Sequence, residues 1–458
     1  MDVEMLGHAT ILIRSGQTSI LFDPLLYDTH HEGLYEIHPR RSLDFDYFPT
    51  LSAVVISHQH ADHYDLQSLA LLPANVPIFI PDDPLITAGL HELGFREIYT
   101  VNIGSSFNID ELVLLPTAPA DGAVEFGFIV SDGKTAVWNI IDTLPSPSTI
   151  AGVMANTPLV DLAIVPWQPL LDELACGDRP LAFPMEHYRR LLENVWQINA
   201  AALVLGACGF CATQQNDWLN KITFPVSPSR FQNDVLAACP ALQRRIFETL
   251  PGDRLRVENS GTTLERGVLP YCRLVPDVPI ETRWRPWAGQ FEKFASALTL
   301  GESACAVRLE DFFTEELTRF VRENAPEFSW HGIWLHRRQV TVYMRNSELS
   351  WTLVFDDNGV RVERGFDPLA QAHSVITGDS LVSLLERTRT WSHVVLAGHY
   401  WQMDFTYRVD GGRFAVPCEP LSCPLRIYFG GADHAAAVLH GRIQKAGQSE
   451  IDATEGLV

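Results

Sequence analysis

The sequence predicts an α/β fold in which strands and helices form alternating layers. Strand-like and helix-like stretches take turns through the first half of the chain. Three of the strand-like stretches, SAVVI at 52–56, DLAIVP at 161–166 and AALVLG at 201–206, are nearly continuous apolar runs, as strands covered on both faces must be. Side chains able to hold a metal crowd directly behind the first of these, in SHQHADHYD at 57–65. At 458 residues the chain exceeds one ordinary core, so two domains are expected.

Taken in order, Val3 to Arg14 reads as a strand paired with Thr18 to Phe22 across Ser15-Gly16-Gln17, and Asp23-Pro24 stops the second strand. Ser52 to Ile56 follows as a buried strand with the histidine cluster at its C-terminal end. Phe126 to Val130 and Thr135 to Ile141 form a hairpin, because the Asp132-Gly133 pair between them suits a tight turn, and this leaves Asp142 at a strand end. Asp161 to Pro166 and Ala201 to Gly206 are two more buried strands, with a helix over Glu186 to Ile198 between them. Several polar strand ends can therefore meet on one rim. From Leu269 to Trp287 the chain turns proline-rich and irregular, a linker that sets the domain boundary between residues 275 and 276. Within 276–458, Leu309 to Glu323 has helical spacing, Gln339 to Met344 and Trp351 to Phe355 alternate as strands, and Asn358-Gly359 is a turn. That half is a smaller α+β unit.

Hydrophobic residues at 46% and charged residues at 20% fit a packed globular chain. A net charge of −22 repels phosphate backbones and anionic lipids, so neither nucleic acid nor membrane is an expected partner. The opening MDVEMLGHATILIR lacks the basic start of an export signal, and the weakly polar stretch Ala200 to Ala212 is shorter than the roughly 18 residues of a membrane helix. Eight cysteines then read as reduced thiols, and the expected location is cytoplasmic.

His58, His60, Asp62 and His63 form H-x-H-x-D-H in the turn after a buried strand. Imidazole and carboxylate are ligands for zinc, iron or manganese, and four of them in six residues come within reach of one site if the loop curls. Together with GHATILI at 7–13 and FDP at 22–24, this pattern resembles the metallo-β-lactamase fold superfamily. The resemblance implies an αββα sandwich carrying a dinuclear metal site, followed by the smaller α+β domain. It further implies that His58 and His60 hold one metal, Asp62 and His63 a second, and that Asp142 in NIIDT bridges them. Asp23 in FDP would accept a hydrogen bond from a ligating histidine.

The sequence departs from the hydrolytic members in two places. They carry a histidine before the strand leading to the bridging Asp, where PTAPADGAVEFGF at 116–128 offers only Asp121 and Glu125; Glu125 is taken as the ligand. They carry another after the last sheet strand, where LGACGFCATQQNDWLN at 205–220 has none. Three imidazoles and three carboxylates favour iron over zinc. HPRR at 38–41, EFGFIVSDGKTAVWNIIDT at 125–143 and CGFCATQQNDWLN at 208–220 are similar to the branch of the CMP-N-acetylneuraminate hydroxylases and the metallo-β-lactamase-fold diiron monooxygenases of natural-product biosynthesis. That similarity implies two Fe ions, O2 as cosubstrate, and hydroxylation of a small hydrophobic biosynthetic intermediate, free or carried as a CoA or carrier-protein thioester. No Rieske or flavin-binding signature is visible, so the electrons are expected from an external donor. Two other readings stand beside it: a dinuclear zinc metallo-hydrolase, and a scaffold whose weakened ligand set no longer binds two metals.

Further candidates are Cys208 and Cys211 of a C-x-x-C, read as buried thiols, and the loop through Gln214, Gln215 and Asn216, which could lie over the second metal. His8 is placed on the metal rim. Arg40 and Arg41 could greet an anionic substrate. Trp391, Tyr400, Trp401, Phe405 and Tyr407 are either pocket wall or core.

Overall fold

The computed structural model describes residues 1–157, 159–171, 182–275, 284–287, 291, 297–356, 359–418 and 421–441, except for the side chains at 214 and 215. Contacts divide the chain into two compact units, one of Met1–Trp284 with Val409–Arg413, the other of Arg285–Arg408 with the chain from Phe414 onward. The boundary expected between 275 and 276 falls at the edge of residues outside the described set, as does Asn358 of the expected turn.

The first unit is built on strands whose two faces enter different cores. Ile11 and Ile13, Ile20 and Phe22, and Ala53 and Val55 share one core, while Leu12, Leu21 and Val54 between them belong to another. A strand points successive side chains to opposite faces, so an uninterrupted apolar run is what this double burial requires. These strands lie in an eight-stranded sheet ordered Gly261–Glu265, Arg254–Glu258, Asp2–Gly7, Thr10–Ser15, Thr18–Phe22, Ala53–Val55, Ile78–Ile80 and Ile98–Thr100. The core holding Phe22 also holds Leu114, Phe128, Val137, Leu162 and Val204 of a second, seven-stranded sheet, so the two sheets pack face to face. Burying each such side chain contributes roughly 1.5–3 kcal/mol, an upper figure because unfolded chains are partly compact.

The other face of the first sheet is covered by Leu69 of the helix Leu66–Leu69 and by Ile86 and Leu90 of Pro84–Glu92. Pro84 begins that second helix, and the Asp83 carboxylate caps it by accepting from the Leu85 and Ile86 amides. The far face of the second sheet carries the helix Met185–Ile198, whose Leu191, Val195 and Ile198 meet Ile140 and Val165 around a small cavity. Helix, sheet, sheet and helix make the αββα sandwich.

Two elements differ from the sequence reading. Val3 to Arg14 is two strands, Asp2–Gly7 and Thr10–Ser15, broken at Gly7 and His8 with φ of +114° and +50°. A side chain on Gly7 would lie 2.8 Å from the Arg41 guanidinium, so this tight turn needs the glycine. The stretch read as a linker contains the strand Cys272–Leu274, paired antiparallel with Arg41–Leu43. The hairpin Gly127–Ser131 with Ala136–Asn139, the parallel strands Leu162–Val165 and Leu203–Leu205, and the helix between those strands stand where the sequence placed them.

In the second unit, five strands are ordered Gly359–Arg364, Glu348–Asp356, Arg337–Tyr343, Ala372–Thr377 and Tyr400–Asp404. Helical turns over Glu302–Glu323 place Leu309, Phe312 and Phe313 in a core with Trp351, Leu353 and Ile376. Phe405 and Tyr407 are buried, Trp401 lies against Trp287, and Trp391 and Tyr400 pack on the core. These aromatics fill this unit's interior.

Candidate metal centre

The rim of the sandwich gathers side chains from both sheets. His58, His60, Asp62 and His63 follow Ala53–Val55 of the first sheet, and Asp142 follows Ala136–Asn139 of the second. Several of the residues that set this rim hold left-handed backbone without being glycine: His8, Asp23, Ile141, Ala207 and Cys208 have φ between +44° and +61°. Such conformations are costly and concentrate where a site must aim side chains.

Asp23 is the anchor. Fully buried, it accepts from the Ser57 amide at 2.7 Å, the Ser57 hydroxyl at 2.8 Å and His63 Nδ1 at 3.0 Å. With Nδ1 committed to a carboxylate, His63 presents Nε2 to the rim, 3.0 Å from Asp142 Oδ2 and 3.5 Å from Asp62 Oδ2. Ser57 Oγ likewise engages His58 Nδ1 at 2.8 Å, which leaves His58 Nε2 facing His60 Nδ1, also at 2.8 Å. His8 Nε2 lies 2.9 Å from Asp62 Oδ2.

Two groups of donors are thereby assembled, His58 with His63 and Asp142, and His8 with Asp62 and His63. An ion bonded at about 2.0–2.2 Å sets neighbouring ligands about 3.0–3.4 Å apart. The separations above bracket that spacing, and the nitrogen and oxygen donors suit iron, manganese or zinc. These residues fit a metal ion. Both groups use His63 Nε2, which bonds one ion at a time, and His60 stands in neither; for the expected pair, His58 and His60 would hold one ion and Asp62 and His63 the other, with Asp142 3.0 Å from His63 and about a third exposed.

The charges are arranged for the same task. Burial opposes a proton on His63, yet Asp62 and Asp142 outweigh it and hold this imidazole well above its usual value. Burial also opposes charge on Asp62 and Asp142, but His63 overrides it and keeps both below the ordinary carboxylate range. His58, desolvated and beside His63, is pushed down to about 3 and stays neutral. Burial, then Asp121 and Asp142, raise Glu125, whose carboxylate also receives the Thr143 hydroxyl. Glu125 thus stands near Asp142 and outside both donor groups, while Asp121 is exposed and accepts from the Ala123 amide at 3.1 Å.

Cys208 follows Leu203–Leu205, where hydrolytic relatives were expected to carry a histidine. Burial, with Asp142 and Asp62 nearby, holds its thiol well above the usual value, so without a metal it is a neutral thiol. Cys211 is buried, and the side chains of Gln214 and Gln215 lie outside the described residues. The reading of Arg41 as a surface anchor for an anion is corrected: it is 2% exposed and donates to the Leu25 carbonyl, because it fills the space beneath Gly7.

Sequence reasoning missed the pair His30 and His31. His30 is buried and pushed down to about 3 by desolvation and by His8, and its ring stacks on His8 at 6.0 Å. Gly209 was also missed. A Cβ there would meet the His8 backbone at 2.7 and 2.9 Å, so the C-x-x-C loop approaches His8 only because it carries a glycine.

In comparison with known proteins, residues 18–196 match the family model of the beta-lactamase superfamily domain. Over 157 residues, 32% of this chain, the sequence is 31% identical to a protein of Mycolicibacterium smegmatis named as a Rieske 2Fe-2S iron-sulfur protein, of whose length the match spans 30%. It is 28% identical over 157 residues, 32% of this chain and 63% of the other, to a UPF0173 metal-dependent hydrolase of Salinibacter ruber. Among solved structures, CmlA, a diiron β-hydroxylase from Streptomyces venezuelae, aligns over 58% of this chain and 54% of its own, with a TM-score of 0.40 and 16% identity. An isothiocyanate hydrolase from Delia radicum gut bacteria aligns over 56% and 99%, with a TM-score of 0.41 and 12% identity. No helix among the described residues is long and apolar enough to cross a membrane.

Proposed function

We propose that the chain is a nonheme diiron monooxygenase that hydroxylates a small hydrophobic biosynthetic intermediate, with O2 as cosubstrate and electrons from an external donor. The observation that carries this reading is the donor set. Asp62 and Asp142 sit among His58 and His63, with His60 2.8 Å from His58 and Glu125 alongside. Hard oxygen donors with imidazole suit iron. When bound, a reduced iron pair supplies the electrons that activate O2; overall, R–H, O2, two electrons and two protons give R–OH and water. The protein's part is positional: Asp23 and Ser57 fix which nitrogens of His63 and His58 face the rim, and Thr143 orients Glu125. In this reading a substrate, free or as a CoA or carrier-protein thioester, would approach past Asp142, whose side chain is partly exposed.

Protein produced with ample iron should hold about two Fe per chain, and candidate substrates incubated with reductant under ¹⁸O2 should gain one labelled oxygen. Label drawn from water, or turnover without oxygen, rejects the monooxygenase. The second reading, a dinuclear zinc hydrolase, is favoured by the likeness to the Salinibacter ruber hydrolase, and the same experiment separates the two.

A further inference from the structure

We propose that His31 is a terminal ligand of the metal on the Asp62 side of the centre, and that His30 is the positioning residue that presents it. The proposal rests on the two-metal reading above and concerns the place left open where no histidine follows the last sheet strand. His31 Nε2 lies 4.0 Å from Asp62 Oδ1, while the other oxygen of that carboxylate is engaged by His8 and His63. Neighbouring ligands of one ion at about 2.1 Å stand about 3.0–3.4 Å apart, and His31 belongs to neither donor group as the protein stands, so its partly exposed ring must close on Asp62 by about half an ångström or more when an ion binds.

The second observation is the contact between the two rings. His30 Nδ1 and His31 Nδ1 are 2.7 Å apart, so one nitrogen must donate and the other accept. With His31 Nδ1–H as the donor, His31 Nε2 carries a lone pair toward Asp62, the tautomer a ligand needs. His30 is 4% exposed and cannot turn away: it is stacked on His8, edge-on to Phe210 and tilted on Tyr35. Its own Nε2 is buried with no hydrogen-bond partner among the described residues, a cost this packing imposes to keep Nδ1 aimed at His31. The backbone agrees. His31 and Glu32 both hold φ near +50° (+49° and +57°), and the short strand Thr29–His30 is pinned to Tyr35–Ile37, which is pinned in turn to Phe210–Ala212. That ties the segment holding His31 to Phe210–Ala212, far from it in sequence.

The test is titration of the metal-free full chain with Co²⁺, following calorimetric stoichiometry, the visible d–d spectrum and the number of coordinated imidazoles by X-ray absorption. Wild type should take up two ions. His31→Asn, which keeps a residue suited to left-handed backbone but is too short to reach, should bind the first ion as before and the second at least tenfold more weakly, with one imidazole fewer. His30→Leu should weaken the second ion similarly, and His30→Asn, whose side-chain oxygen can replace Nδ1 as acceptor, should restore most of it. If wild type binds two ions and His31→Asn binds both with unchanged affinity and spectrum, the role of His31 is refuted and the two-metal reading survives. If wild type binds fewer than two, both fail.

Discussion

Asp23→Asn should separate metal affinity from folding. Its two oxygens do different work: Oδ1 accepts from the Ser57 amide, and Oδ2 accepts from both the Ser57 hydroxyl and His63 Nδ1. An asparagine must put its NH2 in one of those places. Facing the Ser57 amide it would oppose a backbone donor that cannot rotate, so the NH2 takes the Oδ2 position. The Ser57 hydroxyl can then accept, but His63 Nδ1 must also accept, which moves the ring proton to Nε2, the nitrogen that faces Asp62 and Asp142. A metal on Nε2 needs the ring proton on Nδ1, where it would meet the asparagine NH2, a donor facing a donor. Loss of such a supporting carboxylate costs about 10- to 100-fold in metal affinity, or about 1.4–2.7 kcal/mol. Folding loses one charge-assisted hydrogen bond, about 1.5–3 kcal/mol, and keeps its packing because the volume is unchanged. Competition against a chromophoric chelator measures the first quantity and denaturant unfolding of the metal-free protein the second. Wild-type metal affinity in a folded Asp23→Asn protein would refute the assignment of Asp23 as the residue that sets the His63 tautomer.

Gly209→Ala drives a methyl into the His8 backbone and should destabilise the protein by about 1–3 kcal/mol in thermal or chemical unfolding; unchanged stability would mean the loop can move away. Because His63 is raised in the fold, its proton stabilises the metal-free protein below about pH 6.5 and that contribution is lost as pH rises through the folded-state value. Metal displaces the same proton, so its apparent affinity should rise with pH, by up to about tenfold per unit from this group, and calorimetry in buffers of different ionisation enthalpy should show its release; no release contradicts the assigned charge state. Glu125 stands outside both donor groups in the metal-free protein, so a ligand role requires it to move inward: Glu125→Gln should then lower iron occupancy by elemental analysis while Asp121→Asn leaves it intact, and the reverse result would move that role to position 121.

Much of this architecture was legible because its causes are local. Ile20, Leu21 and Phe22 need only their own alternation to announce a strand with two buried faces, and H-x-H-x-D-H needs only one loop. The misreadings have nonlocal causes. Nothing near His8 says that Arg41 packs beneath Gly7 and forces a turn, so one strand was read where there are two. The same packing takes Arg41 out of solvent, which no count of neighbouring charges reveals. His30 and His31 sit beside a short local pairing of Thr29–His30 with Tyr35–Ile37, but the strand that holds Tyr35–Ile37 in place is Phe210–Ala212, far beyond the range of any spacing rule. Gly209 carried a signal, a glycine between two cysteines, but the backbone it lets approach is about two hundred residues away.

The contact between His63 and Asp142 crosses the seam of the sandwich, since one residue rides on the first sheet and the other on the second. The distance between these donors is therefore a gauge of how far apart the two layers stand. Phe22 from one layer, next in sequence to Asp23, meets Phe128 from the other with ring centres 5.7 Å apart, and this packing contributes to the spacing from inside the core. Trimming either ring to a smaller side chain would alter no ligand, yet it would slacken the jaw that holds the donors apart. Preference between ions of different radius would then be tuned from the hydrophobic interior, out of reach of solvent and substrate alike.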